Sequence, residues 1–153
     1  MTDFVLAGGC FWCVDAALRQ LRGVSAVVCG YTGGTVEHPS YEQVCTGETG
    51  HAEAVRVSFD PAVLPVQVLL DAYFTLHDPT TLDRQGNDVG TQYRSAMFYA
   101  DDEQRVMFLE ARERASQWWV NPIVTTVQPL TVFYPAEEYH QDYYAKNPGS
   151  GYC

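Results

Sequence analysis

The run Gly8-Gly9-Cys10-Phe11-Trp12-Cys13 is the part of this chain best equipped for covalent chemistry. The two glycines let the backbone turn tightly and set Cys10 at the first turn of a following helix. Unpaired N–H groups and the helix dipole favour a thiolate there, so Cys10 is expected to be a low-pKa nucleophile that alkylates quickly. Three other readings compete. The two cysteines would be inert as small core residues. A zinc site would need four ligands, yet no second C-x-x-C exists and the other cysteines are scattered. A thioredoxin-like disulfide exchanger also carries C-x-x-C after a strand, but the Phe11-Trp12 pair argues against it. Those rings lie beside the sulfur and suit a small apolar group such as an S-methyl, as they also suit core packing.

A second chemical group comes from residues 53–59. With a period of two, Glu53 shares a face with Val55, Val57 and Phe59, while Ala54, Arg56 and Ser58 point the other way. If that apolar face is buried, desolvation raises the carboxyl pKa and makes a proton donor available near neutral pH. At the strand end, Glu53 has the alternative of escaping into solvent.

The elements that must position these groups follow from periodicity. Residues 3–7 read as a strand that Gly8-Gly9 ends, and Val14, Ala17, Leu18 and Leu21 then recur at helical spacing up to Gly23. Residues 24–30 give a second strand, and the polar, turn-rich stretch 31–51 reads as a long functional loop. Residues 52–59 alternate as a strand. Pro65 opens a helix to His77 with Val66, Leu69, Leu70, Tyr73 and Phe74 on one face. A loop over about 78–92 leads to a strand at 93–100, and Asp101 with Gln104 forms a capping box for a helix towards Trp119. Short strands are expected at 123–127 and 130–134, and a last helix from Pro135 to Lys146. Strands and helices mixed without strict βαβ alternation predict an α+β fold: a two-layer single domain, residues 1–153, with a central mixed β-sheet, flanking helices and a mobile tail from about 147.

Bulk properties narrow the partners. A chain of 153 residues, 46% apolar, can close one core. Its formal charge of -10 repels phosphate backbones and anionic headgroups, so neither nucleic acid nor a membrane surface is expected as a partner. The N-terminus lacks a basic stretch and a long apolar run, which reads as cytoplasmic. Five cysteines without a secretory signal should stay mostly reduced and serve chemistry or packing. Packing is the reading for Cys29 and Cys45. His38, His77 and His140 carry no role, and His51 has at most that of orienting Glu53.

Five stretches taken in order resemble one family. Gly9-Cys10-Phe11-Trp12, Gly30-Tyr31-Thr32-Gly33-Gly34, Gly50-His51-Ala52-Glu53-Ala54-Val55, Gln85-Gly86-Asn87-Asp88 with Gly90-Thr91-Gln92-Tyr93-Arg94-Ser95, and Tyr139-His140-Gln141-Asp142-Tyr143 with Lys146-Asn147-Pro148 are similar to the peptide methionine sulfoxide reductases of type A. Matches spread over about 140 residues are far more specific than any one motif. The resemblance implies that Cys10 is the nucleophile and Glu53 the acid that protonates the sulfoxide oxygen. It implies that Tyr41 and Tyr93 are phenols hydrogen-bonding that oxygen, that Asp88 helps hold the site and the substrate backbone, and that Trp12 with Phe11 receives the S-methyl group.

The implied substrate is methionine S-sulfoxide, free or in proteins, with a Cys10 sulfenic acid as intermediate, thioredoxin as reductant and no metal or organic cofactor. Two features depart from the family pattern: Cys13 stands where many members have glycine, and the chain ends at Cys153 where many continue. Both are therefore candidate resolving thiols, with Cys13 expected to trap the sulfenic acid first and Cys153 to take over by exchange. A disulfide exchanger, or a non-enzymatic binding module using the aromatic cluster as a cage, would show no sulfoxide turnover with dithiothreitol.

Overall fold

The computed structural model describes residues 1–149. In chain order its elements are β1 (Thr2–Gly8), α1 (Phe11–Arg19), β2 (Val24–Thr32), α2 (Tyr41–Cys45), β3 (Ala52–Phe59), α3 (Val66–Leu76), β4 (Arg84–Gln85), β5 (Asp88–Val89), β6 (Ser95–Tyr99), α4 (Asp102–Ala115), β7 (Thr126–Pro129), β8 (Tyr134–Pro135) and α5 (Tyr143–Lys146). Six strands form one sheet in the order β7-β6-β1-β3-β2-β8, and β4 with β5 makes a small separate hairpin. Only β6 and β7 run parallel; the other neighbours are antiparallel, so the sheet is mixed as the α+β reading expects.

Strand alternation sorts the core into two parts. Phe4, Leu6, Val55, Val57, Phe59 and Met97 pack with Phe11, Val14 and Leu18 of α1, Leu69, Tyr73 and Phe74 of α3, and Phe108 of α4. Phe4 sits against Phe59 and Phe108 with ring centroids 5.1 and 5.0 Å apart. Burial of each such side chain contributes about 1.5–3 kcal/mol. The intervening residues Val5, Ala7, Ala52, Ala54, Ala96 and Phe98 form a smaller cluster covered by Leu130 and Phe133. The helices thus stand on one face and a crossing segment on the other.

One glycine bears directly on Cys10. Gly9 has φ +92°, and a Cβ there would lie 2.7 Å from Cβ of Gln85. Glycine both permits the left-handed turn and lets the β4–β5 hairpin, which carries Asp88, close onto Cys10.

Several element boundaries differ from the sequence reading. The stretch 31–51 contains α2, because Ser40 Oγ accepts from the Gln43 N–H at 3.2 Å while Gln43 Oε1 accepts from the Ser40 N–H at 2.8 Å, a complete capping box. The strand expected at 93–100 begins at Ser95, since residues 91–93 wind into a 3₁₀ turn. Helix α4 stops at Ala115 and does not reach Trp119. The strands expected at 123–127 and 130–134 shrink to β7 and β8, because residues 130–133 leave one sheet edge and cross the back face to reach the other.

The last helix is broken into a 3₁₀ turn at Glu138–His140 and the short α5. Tertiary bonds between them prevail over helix propagation. The Gln141 amide pairs with the backbone of Cys29 at 2.8 and 2.9 Å, and the Asp142 N–H donates to Asp15 at 3.0 Å. Of the tail expected to be mobile, residues 150–153, with Cys153, lie outside the described residues. Among the described residues no helix is long and apolar enough to cross a membrane.

Candidate active site

Cys10 is the residue from which α1 starts: its carbonyl accepts the N–H groups of Cys13 and Val14 at 3.1 and 3.3 Å. The helix start is where the glycine turn placed it, but the expected low thiol pKa is contradicted. Burial, and next the Glu53 carboxyl, push Cys10 up to about 12, and Asp88 adds to this; the N–H groups of Trp12 and Cys13 pull down without prevailing. Both charged side chains acting on the sulfur are acids. The helix start alone therefore does not make a thiolate.

Glu53 is 2% exposed, so its side chain does not escape from the apolar face of β3. Its Oε1 accepts the N–H of Phe11 at 3.1 Å, tying the acid to the first residue of the helix that Cys10 begins. Burial raises the carboxyl to about 8, against the Phe11 hydrogen bond, and Asp88 raises it further. The folded value lies above the ordinary 4.5, so this group does not disfavour folding below pH 4.5. Its penalty grows as pH rises from there to about 8, and reaches about 3 kcal/mol at pH 7.

Tyr41 heads α2, and Tyr93 closes the 3₁₀ turn before β6, so Tyr93 is a turn residue and not part of a strand. Both are half-buried. Burial raises both phenols; a hydrogen bond with Cys45 adds to this at Tyr41, and the charge of Glu53 acts on both. They stay protonated and able to donate. Asp88 of β5 bears on Cys10, Glu53 and Tyr93 alike. The sulfur, the acid, two phenols and a carboxylate therefore converge from five separate stretches of sequence.

The aromatic pair divides. Phe11 is 1% exposed and packs on Tyr31, Tyr41 and His140 with centroids 5.7, 6.5 and 5.1 Å away. Trp12 is half-buried, its ring stacked on Tyr143. A cavity of about 350 Å³ opens beside Cys10 and Cys13, bordered by Leu76, Gln85 and Asp88. Cys13 is disulfide-bonded, whereas Cys10, Cys29 and Cys45 are free thiols.

Two minor assignments are corrected and one holds. Cys29 is buried, its sulfur 3.6 Å from the Phe11 carbonyl and from Asp15. Cys45 is not a packing residue, since the end of α2 leaves it exposed with its thiol on the Tyr41 hydroxyl. His51 does not orient Glu53. Its Nδ1 accepts the Gly34 N–H at 3.1 Å and its Nε2 lies 2.7 Å from the Val36 carbonyl, so it fastens the loop after β2.

Glu137 frames the site and carried no sequence signal. It accepts from Tyr31 Oη at 2.8 Å and from the Tyr41 N–H at 2.9 Å, pinning the head of α2. Tyr31 pairs with Glu53 across β2 and β3, and extending the period-two reading of that strand by two residues would have found it. Among the described residues no group of three His, Cys, Asp or Glu side chains is arranged to hold a metal ion.

Comparison with known proteins finds matches over nearly the whole chain. Residues 2–153 match the family model described as "Peptide methionine sulfoxide reductase". The "Peptide methionine sulfoxide reductase MsrA" of Clavibacter michiganensis subsp. michiganensis is 60% identical over 153 residues, all of this chain and 87% of the relative. Among solved structures, Mxr1 from Saccharomyces cerevisiae in reduced form superposes with TM-score 0.94 at 38% identity, covering 99% of this chain and 88% of that one. Mxr1 in complex with Trx2 gives TM-score 0.67 at 28% identity, covering 93% and 84%.

Proposed function

The chain belongs to the peptide methionine sulfoxide reductases of type A and reduces methionine S-sulfoxide to methionine with thioredoxin as reductant; on that premise we propose that Cys10 is the nucleophile and Glu53 the proton donor. One observation carries the assignment: a buried carboxyl still protonated near neutral pH is hydrogen-bonded to the first N–H of the helix that Cys10 begins. Sulfoxide sulfur bears positive charge, and that pole supplies the cation the resting site lacks, drawing Cys10 to thiolate as substrate binds.

Attack of the Cys10 sulfur on the sulfoxide sulfur moves charge onto oxygen. Glu53 protonates that oxygen while Tyr41 and Tyr93 donate hydrogen bonds to it. The attack forms a bond between the two sulfurs. That bond and the substrate S–O bond then break as the protonated oxygen passes to the Cys10 sulfur, leaving it a sulfenic acid and releasing methionine, and Glu53 recovers the proton the thiol gave up. Substrate oxygen is thus transferred and the Cys10 sulfur oxidised by two electrons. Asp88 holds the site and the substrate backbone, and Trp12 receives the S-methyl group, with Phe11 buried beneath the site as part of its support.

The acid role sets a pH dependence. Glu53 must hold its proton, so single-turnover reduction at saturating substrate should fall as pH rises through about 8, approaching tenfold per pH unit. Rapid-quench rates between pH 6 and 10 check this. A profile flat to pH 10 would remove Glu53 from the chemistry.

Regeneration uses both remaining candidates. Cys13 lies three residues along the first turn of α1, with Cα atoms about 5 Å apart, within disulfide range. Cys13 is disulfide-bonded in the structure; once that bond is reduced, its thiol condenses with the sulfenic acid, releasing water and leaving a Cys10–Cys13 disulfide. Cys153 then attacks Cys13, freeing Cys10 and leaving a Cys13–Cys153 bond for thioredoxin to reduce. With one equivalent of substrate, Cys153→Ser should accumulate Cys10–Cys13, and Cys13→Ser should form any Cys10–Cys153 bond at least about tenfold more slowly. Disulfide mapping by mass spectrometry reads both, and a Cys10–Cys153 bond formed at full rate in Cys13→Ser rejects the relay. The reading treats the chain as one catalytic domain acting on free or protein-bound substrate in the cytoplasm.

A further inference from the structure

Two residues from the end of the chain hold the indole of Trp12. Its face lies on the Tyr143 ring at 3.8 Å between centroids and 6° between planes. Its N–H donates to Nδ1 of His140 at 3.0 Å. An indole nitrogen only donates, so Nδ1 is the bare, accepting nitrogen and the neutral ring carries its proton on Nε2. His140 is fully buried, and its Nε2 has no hydrogen-bond partner among the described residues. An unpaired buried donor is rare and calls for a reason. A site walled by Phe11, Tyr41 and Tyr139, with centroids 5.1, 4.3 and 4.1 Å from the imidazole, would accept an apolar residue without orphaning an atom. What an apolar residue cannot do is accept the Trp12 N–H.

We propose that His140 is a positioning residue for substrate binding: as a neutral ring it fixes the Trp12 indole as a wall of the methyl pocket, and protonation of the ring releases that wall. The inference rests on the reading of Trp12 as part of that pocket. A protonated His140 would aim Nδ1–H at the indole N–H, two donors facing each other. The elements packed around it supply Phe11 and Trp12 from α1, Tyr41 and Glu42 from α2, and Glu137 and Tyr139 from its own segment. Burial, the largest influence, lowers the imidazole below its ordinary value, while the carboxylates of Glu137 and Glu42 oppose it. The clamp is therefore closed at neutral pH and opens only in acid.

The test uses full-length protein carrying Trp118→Phe and Trp119→Phe, in which Trp12 is the one remaining tryptophan. His140→Phe should raise KM for methionine S-sulfoxide about tenfold, with the saturating single-turnover rate within about threefold of the parent. His140→Asn, whose Oδ1 can stand where Nδ1 accepted, should bring KM back to within about threefold. Trp12 emission in the parent should shift in one step on acidification, and both variants should lack that step. A merely structural role would lower thermal stability without moving KM or the emission. An unchanged KM in His140→Phe, or an acid step persisting in His140→Asn, overturns the proposal. Should His140→Phe not fold, His140→Asn decides through the emission alone. Emission does not depend on turnover, so a parent without sulfoxide reduction would count against the proposed chemistry and leave the clamp to be judged separately.

Discussion

Replacing Cys10 by serine should leave no measurable reduction of methionine S-sulfoxide with any reductant, a loss of at least about 10⁴-fold. A serine hydroxyl ionises even less readily than this thiol, which burial and two acidic neighbours already hold up at about 12. The positive sulfoxide sulfur that draws a thiol to thiolate would not do so for an alcohol. The products differ too, since serine cannot take up the oxygen as a sulfenic acid or pass it to a second thiol. Substrate should still bind, because the aromatic wall and Glu53 remain. The check is methionine released per enzyme in a single turnover with dithiothreitol present. Activity above about one per cent of the parent would sink the assignment of Cys10.

Glu53→Gln is the second large effect, with turnover falling roughly 10²-fold or more, the scale of removing a positioned acid. The amide oxygen can keep the bond from the Phe11 N–H, so the start of α1 is retained and the loss falls on proton transfer. Stability should move the other way. The carboxyl penalty of about 3 kcal/mol at pH 7 disappears in the amide, so Glu53→Gln should melt no lower than the parent at pH 8. Slower chemistry with undiminished stability identifies a group kept for function. A lower melting temperature, or single-turnover reduction at the parental rate, would contradict this reading.

How much of this was legible in the sequence depends on how local each signal was. The helix start at Cys10 was readable, because a glycine pair reports on the backbone directly; the period of two placed Glu53 on the apolar face of its strand but left open whether the side chain escaped into solvent. The capping box of Ser40 and Gln43 was present in the sequence, but the surrounding glycines and prolines hid α2. Tyr41, Tyr93 and Asp88 had no reading of their own. They lie on a five-residue helix, a 3₁₀ turn and a two-residue strand, elements too short to leave a periodic signal, and only the family resemblance marked them. The thiol of Cys10 was misjudged for a related reason. The helix dipole is encoded in adjacent residues, whereas the opposing charges of Glu53 and Asp88 arrive from 43 and 78 positions away in the chain. The break between Glu138–His140 and α5 likewise depends on Cys29 and Asp15, which no local pattern connects to it.

The central claim is that reducing the sulfoxide oxidises Cys10 to a sulfenic acid. In the Cys13→Ser/Cys153→Ser double variant the sulfenic acid has no resolving thiol, so it should persist long enough to be captured by dimedone. One equivalent of methionine S-sulfoxide should yield one methionine and one dimedone adduct, mapped by mass spectrometry to Cys10, with the R epimer yielding neither. Stoichiometric methionine without an adduct, or an adduct on Cys29 or Cys45 instead, would contradict the account.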